Sequence, residues 1–227
     1  MKKFLFKFIT TLILIIFIFL TYLSYKGFET KKFNNLIVKQ IEENKPDIKI
    51  NNLEKIKIKL DYKNLSLFLS TDNTKIEYRK ITVPVQDLKI YLDFISLIKT
   101  DIEAKRISFT LEQINISDLQ KLAISVKPSN IKSFILNNVS NGSIKAKINL
   151  NFDTDLKINN YKIIGVTRNL DINFNKIKLK ETTFNFIAKN EILNFSSLST
   201  NYKGIPIKNG VIDIKRKKNL IINGSFN

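Results

Sequence analysis

The 227-residue chain contains neither cysteine nor histidine. Without cysteine there is no disulfide framework, and the redox compartment is left open. Losing both residues also removes the usual zinc, iron-sulfur and thiol-nucleophile sites, and with them the commonest general base near neutral pH. Glycine is scarce as well: Gly165, Gly204, Gly210 and Gly224 lie singly, where turns or strand edges are expected, and no phosphate-cradling loop can be assembled from them. Arginine is confined to Arg79, Arg106, Arg168 and Arg216, although Lys and Arg total 38 against 20 Asp and Glu, for a formal net charge of +18. Nucleic-acid readers lean on arginine for bidentate contacts, so this lysine-dominated charge argues against nucleic acid as a partner. The charges are spread as alternation partners rather than gathered in tails, which is the layout of a solvated sheet face.

What the chain does have begins at its amino end. From Phe4 to Leu23 the run "FLFKFITTLILIIFIFLTYL" carries one charge, Lys7, close enough to the end for its stem to snorkel. A helix of about 20 residues covers roughly 30 Å, the thickness of a hydrocarbon core, and Tyr22 and Tyr25 fall where an interfacial aromatic belt would sit. Lys2 and Lys3 would also suit a cleaved secretory signal, but the run is longer than such signals need and nothing like A-x-A follows it. Residues 1–27 are therefore expected to be an uncleaved anchor. Lys2, Lys3 and Lys7 before it nearly balance Lys26, Lys31 and Lys32 after it; Glu29 tips the orientation toward a cytoplasmic amino terminus.

Phe33, Leu36, Ile37 and Ile41 follow at helical spacing, so residues 28–46 are expected to hold a short amphipathic helix closed by Asn44 and Pro46. From Ile48 onward the period drops to two. "KIKIKL" at 55–60 sets the beat, which returns in "LKIYLDF", "RISFTL", "IKAKINLNF" and "LDINF". Turn chemistry separates the runs at "TDNT" (71–74), "NNVSNGS" (137–143), Asn159 and Asn160, and "KNG" (208–210), where Asn209 and Gly210 make the clearest hairpin signal. Strands of about five to nine residues in an antiparallel meander follow from that spacing. Only "DFISLIKTD" (93–101) and "ISDLQKLAISV" (116–126) break the rhythm with helix-like spacing. The pattern is still running at Leu220, Ile222 and Phe226, so residues 47–227 are read as one continuous β domain whose sheet is expected to go on past residue 227.

No catalytic constellation emerges, and the chain is read as a non-enzyme with no cofactor and no metal. Asp153 and Asp155 form a D-x-D pair of the kind metal sites use, but both suit a turn between two strands. Glu42 and Glu43 are adjacent at a helix end and point apart.

An anchor, a short amphipathic helix, "DIKINNLEKIKIKL", then "KITVPVQDLKIYLDFISLIKTDIEAKRISFTLEQINISDLQKL" and a run of hairpins: this order resembles the AsmA-like family of bacterial envelope proteins. The central block carries most of the likeness. Its Ser96, Leu97 and Ile98 match the family's short segment after a strand pair, and Ile107, Phe109, Ile114, Ile116 and Leu119 match the strand theme that follows. The later "YKIIGVTRNLDINF" and "LIINGSF" are similar to its strand-Gly-strand repeats. The resemblance implies a mainly β fold, a long antiparallel sheet curled into an open groove. It implies an inner-membrane anchor, a periplasmic body, phospholipid acyl chains along the apolar interior, and other envelope proteins as further partners. One face of each strand would line that groove: Ile58 and Leu60, Leu67 and Leu69, Val83, Val85, Ile90 and Leu92, then Phe109, then Ile148, Leu150 and Phe152, then Ile172 and Phe174, then Phe184 and Phe186. The alternative is a membrane-tethered β-sandwich whose apolar faces pack on each other, a structural or scaffolding domain for envelope assembly that carries no lipid.

Overall fold

The computed structural model describes residues 2–31, 34, 38, 48–51, 55–62, 64, 66–92, 104–124, 130–153, 157–216 and 220–226. The chain opens with helix α1 (Lys2–Tyr25), whose 23-residue apolar stretch Lys3–Tyr25 is long enough to cross a membrane and is buried nowhere in the protein. Gly27 then turns the chain with φ +75°, and a Cβ there would meet Ile58 O at 2.7 Å, so only glycine fits. Strand β1 (Phe28–Thr30) follows at once. The segment expected to be an amphipathic helix thus starts as a strand; Asn34 and Val38 are helical, and Phe33, Leu36, Ile37 and Ile41 lie outside the described residues.

The remaining strands are β2 (Ile48–Asn51), β3 (Ile56–Asp61), β4 (Ser66–Tyr78), β5 (Ile81–Leu92), β6 (Ala104–Asn115), β7 (Val139–Ser140), β8 (Ser143–Phe152), β9 (Ile158–Phe174), β10 (Ile177–Lys189), β11 (Ile192–Tyr202), β12 (Ile205–Arg216) and β13 (Leu220–Ser225). All thirteen belong to a single antiparallel sheet in the order β1-β3-β4-β5-β6-β8-β9-β10-β11-β12-β13, with β2 beside β4 and β7 beside β9. The sheet does not close on itself, and no second sheet faces it among the described residues, so the sandwich alternative is not the fold adopted. Eleven strands on the main path leave ten gaps, which at ~4.8 Å each make the sheet about 48 Å along its hydrogen-bonding axis.

Two helices interrupt the meander between β6 and β7: α2 (Ile116–Ile124), where helix-like spacing is seen in the sequence, and α3 (Asn130–Asn138), which lies partly where a turn is expected. The expected helical segment 93–101 lies outside the described residues. α2 and α3 close over one patch of sheet, where Ile116, Val139 and Leu170 are buried with Leu119, Ile172 and Phe184 packed around them. Gln120 fixes the pair by donating from Nε2 to the carbonyls of Ile135 (3.1 Å) and Val139 (2.8 Å).

The strands are longer than expected because several sequence signals for turns fall inside them. "TDNT" lies within β4, Asn159 and Asn160 within β9, and Asn209-Gly210 within β12. Gly165, expected at a turn or edge, is in the middle of β9, under the Phe186 ring. The hairpins turn instead at Arg79-Lys80, Asn175-Lys176, Asn190-Glu191 and Lys203-Gly204. Asp153 does close its turn, accepting the Lys157 amide proton on Oδ1 at 2.9 Å; Asp155 lies outside the described residues.

The signals inside strands mark β-bulges. Asp87 in β5, Asn169 in β9, Glu181 in β10, Ser197 in β11 and Asn209 in β12 all have φ between 50° and 56°. The register shifts beside them: between Gln86 and Lys89, between Leu179 and Thr182, and between Phe195 and Leu198. β6 shifts between Leu111 and Ile114. Each bulge adds one residue, bends its strand and advances the side-chain alternation by one. Because the bulges lie on neighbouring strands, the bends add up to a fold line across the sheet.

Candidate functional site

Directly opposed residues of an antiparallel pair point to the same face, so the register traces each face strand by strand. One row runs Ile58, Leu69, Ile90, Ile107, Leu150 and Tyr161 across β3 to β9. Another runs Thr74, Val85, Leu111, Ala146, Gly165, Phe186, Phe195, Ile212 and Gly224 across β4 to β13. Both rows are on the same side. The row on the opposite side reads Lys57, Ser70, Lys89, Ser108, Asn149, Lys162 and Lys189. Apart from Phe68 and Tyr91, that sorting is clean from β3 to β8, while on β9 to β13 Ile164, Val166, Ile187, Ile192 and Ile221 stand among the polar side chains.

The bulges keep that sorting intact through the bend. In β5, Val85 and Leu88 differ by an odd number yet share the apolar face, because the bulge at Asp87 shifts the alternation between them; Leu111 and Ile114 in β6 do the same. Burial is deepest along this line on the apolar side: Val85, Leu111, Ile114, Ala146, Thr167, Leu170, Thr182, Leu198 and Thr200 are all buried. Those residues form the inner angle of the bend, and threonine fits it for a reason. Thr182 is only 1% exposed, and its hydroxyl bonds that of Thr200 at 2.8 Å. Thr200 also reaches the Lys180 carbonyl, and Thr167 Oγ1 accepts the Phe184 amide proton at 3.1 Å. Small side chains fill the angle while their hydroxyls occupy polar groups left by the bulges.

Away from the angle much of the same face lies half-exposed, with Ile50, Ile56 and Leu92 buried toward its first strands. Ile58, Leu60, Leu67, Leu69, Ile90, Phe109, Ile148, Leu150, Phe152 and Phe186 all keep partial access to solvent. Apolar walls on two sides of a buried fold line make a trough, crossing the strands and running along the sheet. All sixteen residues expected to share one face do share it. Val85 and Leu92 sit buried, Ile172 and Phe184 pack under α2 and α3, and Phe174 is exposed beyond them beside Phe134, ring centroids 6.1 Å apart. The reading from sequence missed Leu111, Ile163, Leu193, Phe195, Ile212 and Ile214 on this face. Their alternation was visible; the phase jump at each bulge hid their continuity with the neighbouring runs.

Two further features mark the polar side. Phe68 and Tyr91 stack there with centroids 5.1 Å apart, under the Arg106 guanidinium, 3.6 Å from the Tyr91 ring centre and 3.7 Å from Asp61 Oδ2. A shallow polar depression near the bend is lined by Glu112, Gln113, Ser143, Lys145, Val166 and Arg168, with Lys145 paired to Glu112 at 3.1 Å. No group of three or more acidic residues that could hold a metal ion occurs among the described residues.

The trough begins beside the anchor. α1 ends at Tyr25, edge strand β1 starts at Phe28, and Phe28 pairs with Ile58 at the head of the apolar row. No protein-family model, curated protein or solved structure matches the chain.

Proposed function

We propose that this chain is an AsmA-like, membrane-anchored protein that holds phospholipid acyl chains in its trough and helps move phospholipid between the inner and outer membranes, without catalysis. Its amino terminus would be cytoplasmic, α1 would cross the inner membrane once, and the sheet would stand in the periplasm with other envelope proteins as partners. One observation carries the reading: an apolar face, continuous from β3 to β13, much of which stays half-exposed away from its inner angle, from the patch under α2 and α3, and from Ile50, Ile56 and Leu92, which are buried. A sheet with one apolar face normally buries it against a second layer, and among the described residues α2 and α3 cover one patch of this one. Hydrocarbon is the remaining class of cover that needs no shape-specific partner.

The energetics favour such a device. Two acyl chains carry ~30 methylenes, and at roughly 0.8 kcal/mol each their passage bare through water would cost about 25 kcal/mol. A trough beginning within three residues of the anchor would receive lipid at the membrane surface and shield it along its length.

Because the chain has no cysteine, single-cysteine variants report on one position at a time. Ile148→Cys and Leu150→Cys, labelled with an environment-sensitive fluorophore in the purified full chain, should be quenched by phospholipid bearing a spin label on its acyl chain. Asn149→Cys, on the polar face between them, should not. Equal quenching at all three positions, or none at Ile148 and Leu150, would remove the trough as a lipid site.

A further inference from the structure

The trough has two long rims, formed by the turns at either end of its strands, and they differ in make-up. On one rim lie the β3-β4, β8-β9 and β10-β11 turns, where carboxylates and cations are mixed: Asp61 lies 3.7 Å from Arg106, Asp153 shares its turn with Lys157, and Glu191 accepts the amide proton of Arg216, the last residue of β12, on its backbone carbonyl. On the other rim lie the turns Arg79-Lys80, Asn175-Lys176 and Lys203-Gly204, each with at least one cation and none with a carboxylate. The acids nearest to this rim, Glu77, Asp171 and Glu181, sit back within the strands.

The three cationic tips repeat one pattern: an aromatic residue, a two-residue turn, an isoleucine. They read Tyr78-Arg79-Lys80-Ile81, Phe174-Asn175-Lys176-Ile177 and Tyr202-Lys203-Gly204-Ile205. In each, the aromatic residue and the isoleucine are direct partners and belong to the apolar face of the trough. Phe174, Ile177 and Ile205 are 50%, 48% and 64% exposed, so this wall stays apolar up to its edge. The cation then follows within one or two residues. Arg79 lies 5.7 Å from the centre of the Tyr78 ring and Lys203 5.4 Å from that of Tyr202. An apolar wall, an aromatic edge and a positive tip is the sequence of environments that a phospholipid presents from tail to phosphate.

Turn geometry does not account for these cations. Arg79, Lys80 and Lys203 have φ of 48°, 67° and 52°, left-handed conformations that asparagine and glycine adopt with least strain. The sequence places long cations there against the local preference. Building on the lipid-carrying reading, we infer that this rim holds the phosphates of anionic lipids whose acyl chains lie in the trough, making anionic phospholipids the favoured cargo.

The test uses the full chain in lipid nanodiscs of equal parts phosphatidylglycerol and phosphatidylcholine, with a photo-crosslinking residue in place of Phe195 on the trough wall. Mass spectrometry of the adducts reads trough occupancy apart from lipid around the anchor. The chain as it stands should favour phosphatidylglycerol by roughly tenfold, the value expected of one or two lysine-phosphate contacts near a membrane surface. Arg79→Asn, Lys80→Gly, Lys176→Gly and Lys203→Asn together convert all three turns to Asn-Gly, which preserves the hairpins while removing the charge. In that variant total adduct should hold and the ratio should fall toward one. Adducts with no preference in the starting chain, or a preference that survives in the variant, overturn the rim assignment and leave the trough reading standing. An absence of adducts in the starting chain removes the trough reading and the rim assignment with it.

Discussion

The patch of sheet beneath α2 and α3 and the wall on the other side of the bend carry the same kinds of side chain, yet they are finished differently. Leu170 on β9 is 5% exposed in a cluster with Ile116 and Val139. Leu150 on β8, equally apolar and on the same face, stays half-exposed in the row with Ile107 and Tyr161. In the first region apolar area is converted into stability. In the second it is held in reserve, and since uncovered apolar surface contributes little to folding, its extent points to function. Substituting alanine at each position measures the contrast. Leu170→Ala should cost about 3 kcal/mol, the transfer term plus a cavity the helices cannot collapse into. Leu150→Ala should cost about 1 kcal/mol, because much of that side chain is already in contact with water. Urea unfolding of the full chain in detergent, followed by the β-sheet circular dichroism signal, reads both; equal costs would mean that the two regions are finished alike.

The next largest effect sharpens the comparison within the open wall itself, which is not loosely built despite its exposure. A Cβ at Gly165 would lie 2.4 Å from the Phe186 ring and 2.7 Å from the Lys145 carbonyl. Gly165→Ala should therefore cost about 2 kcal/mol through overpacking. Gly224→Ala, whose nearest neighbour would be 3.5 Å away, should stay within about 0.5 kcal/mol of neutral. Thermal unfolding separates the two, and a neutral Gly165→Ala would show that Phe186 is free to lift off the wall. At the inner angle the effect is smaller. Thr182→Val removes a buried hydroxyl pair and leaves Thr200 its bond to the Lys180 carbonyl, so about 1.5 kcal/mol should be lost. Thr82→Val, exposed on the polar face of β5, serves as the control.

Period-two alternation made the strands legible in the sequence, and a 20-residue apolar run made the anchor so. Strand boundaries were not legible, because one conformation serves two purposes. A left-handed residue can reverse the chain at a hairpin or bend it at a bulge, and asparagine and glycine are favoured in both. Asn209-Gly210 has the strongest hairpin chemistry in the chain and lies inside β12, whereas Arg79-Lys80 has none and is a true turn. What distinguishes them is the spacing of apolar residues. Ile205 and Ile207 give way to Gly210, Ile212 and Ile214, a jump of three that keeps one face through a bulge. Val85 to Leu88 and Leu111 to Ile114 carry the same signature. α3 escaped notice for another reason: it has one apolar edge, and the sheet face it covers includes residues of β9, distant in sequence.

The fold line yields the smallest expected effect and the one of opposite sign. Glu181 in β10 holds φ at 54°, where an L side chain crowds its own backbone at a cost of roughly 1–2 kcal/mol. Glycine relieves that crowding but gains entropy in the unfolded chain, which takes back roughly 0.5–1 kcal/mol. Glu181→Gly should therefore raise stability by up to about 1 kcal/mol. Val166→Gly, in the regular part of neighbouring β9, should lower it by about that much. If Glu181 instead belonged to an ordinary extended strand, both substitutions would destabilise. The sign at position 181 in a denaturant titration thus tells a bent sheet from a flat one, and a flat sheet would have no inner angle and no trough.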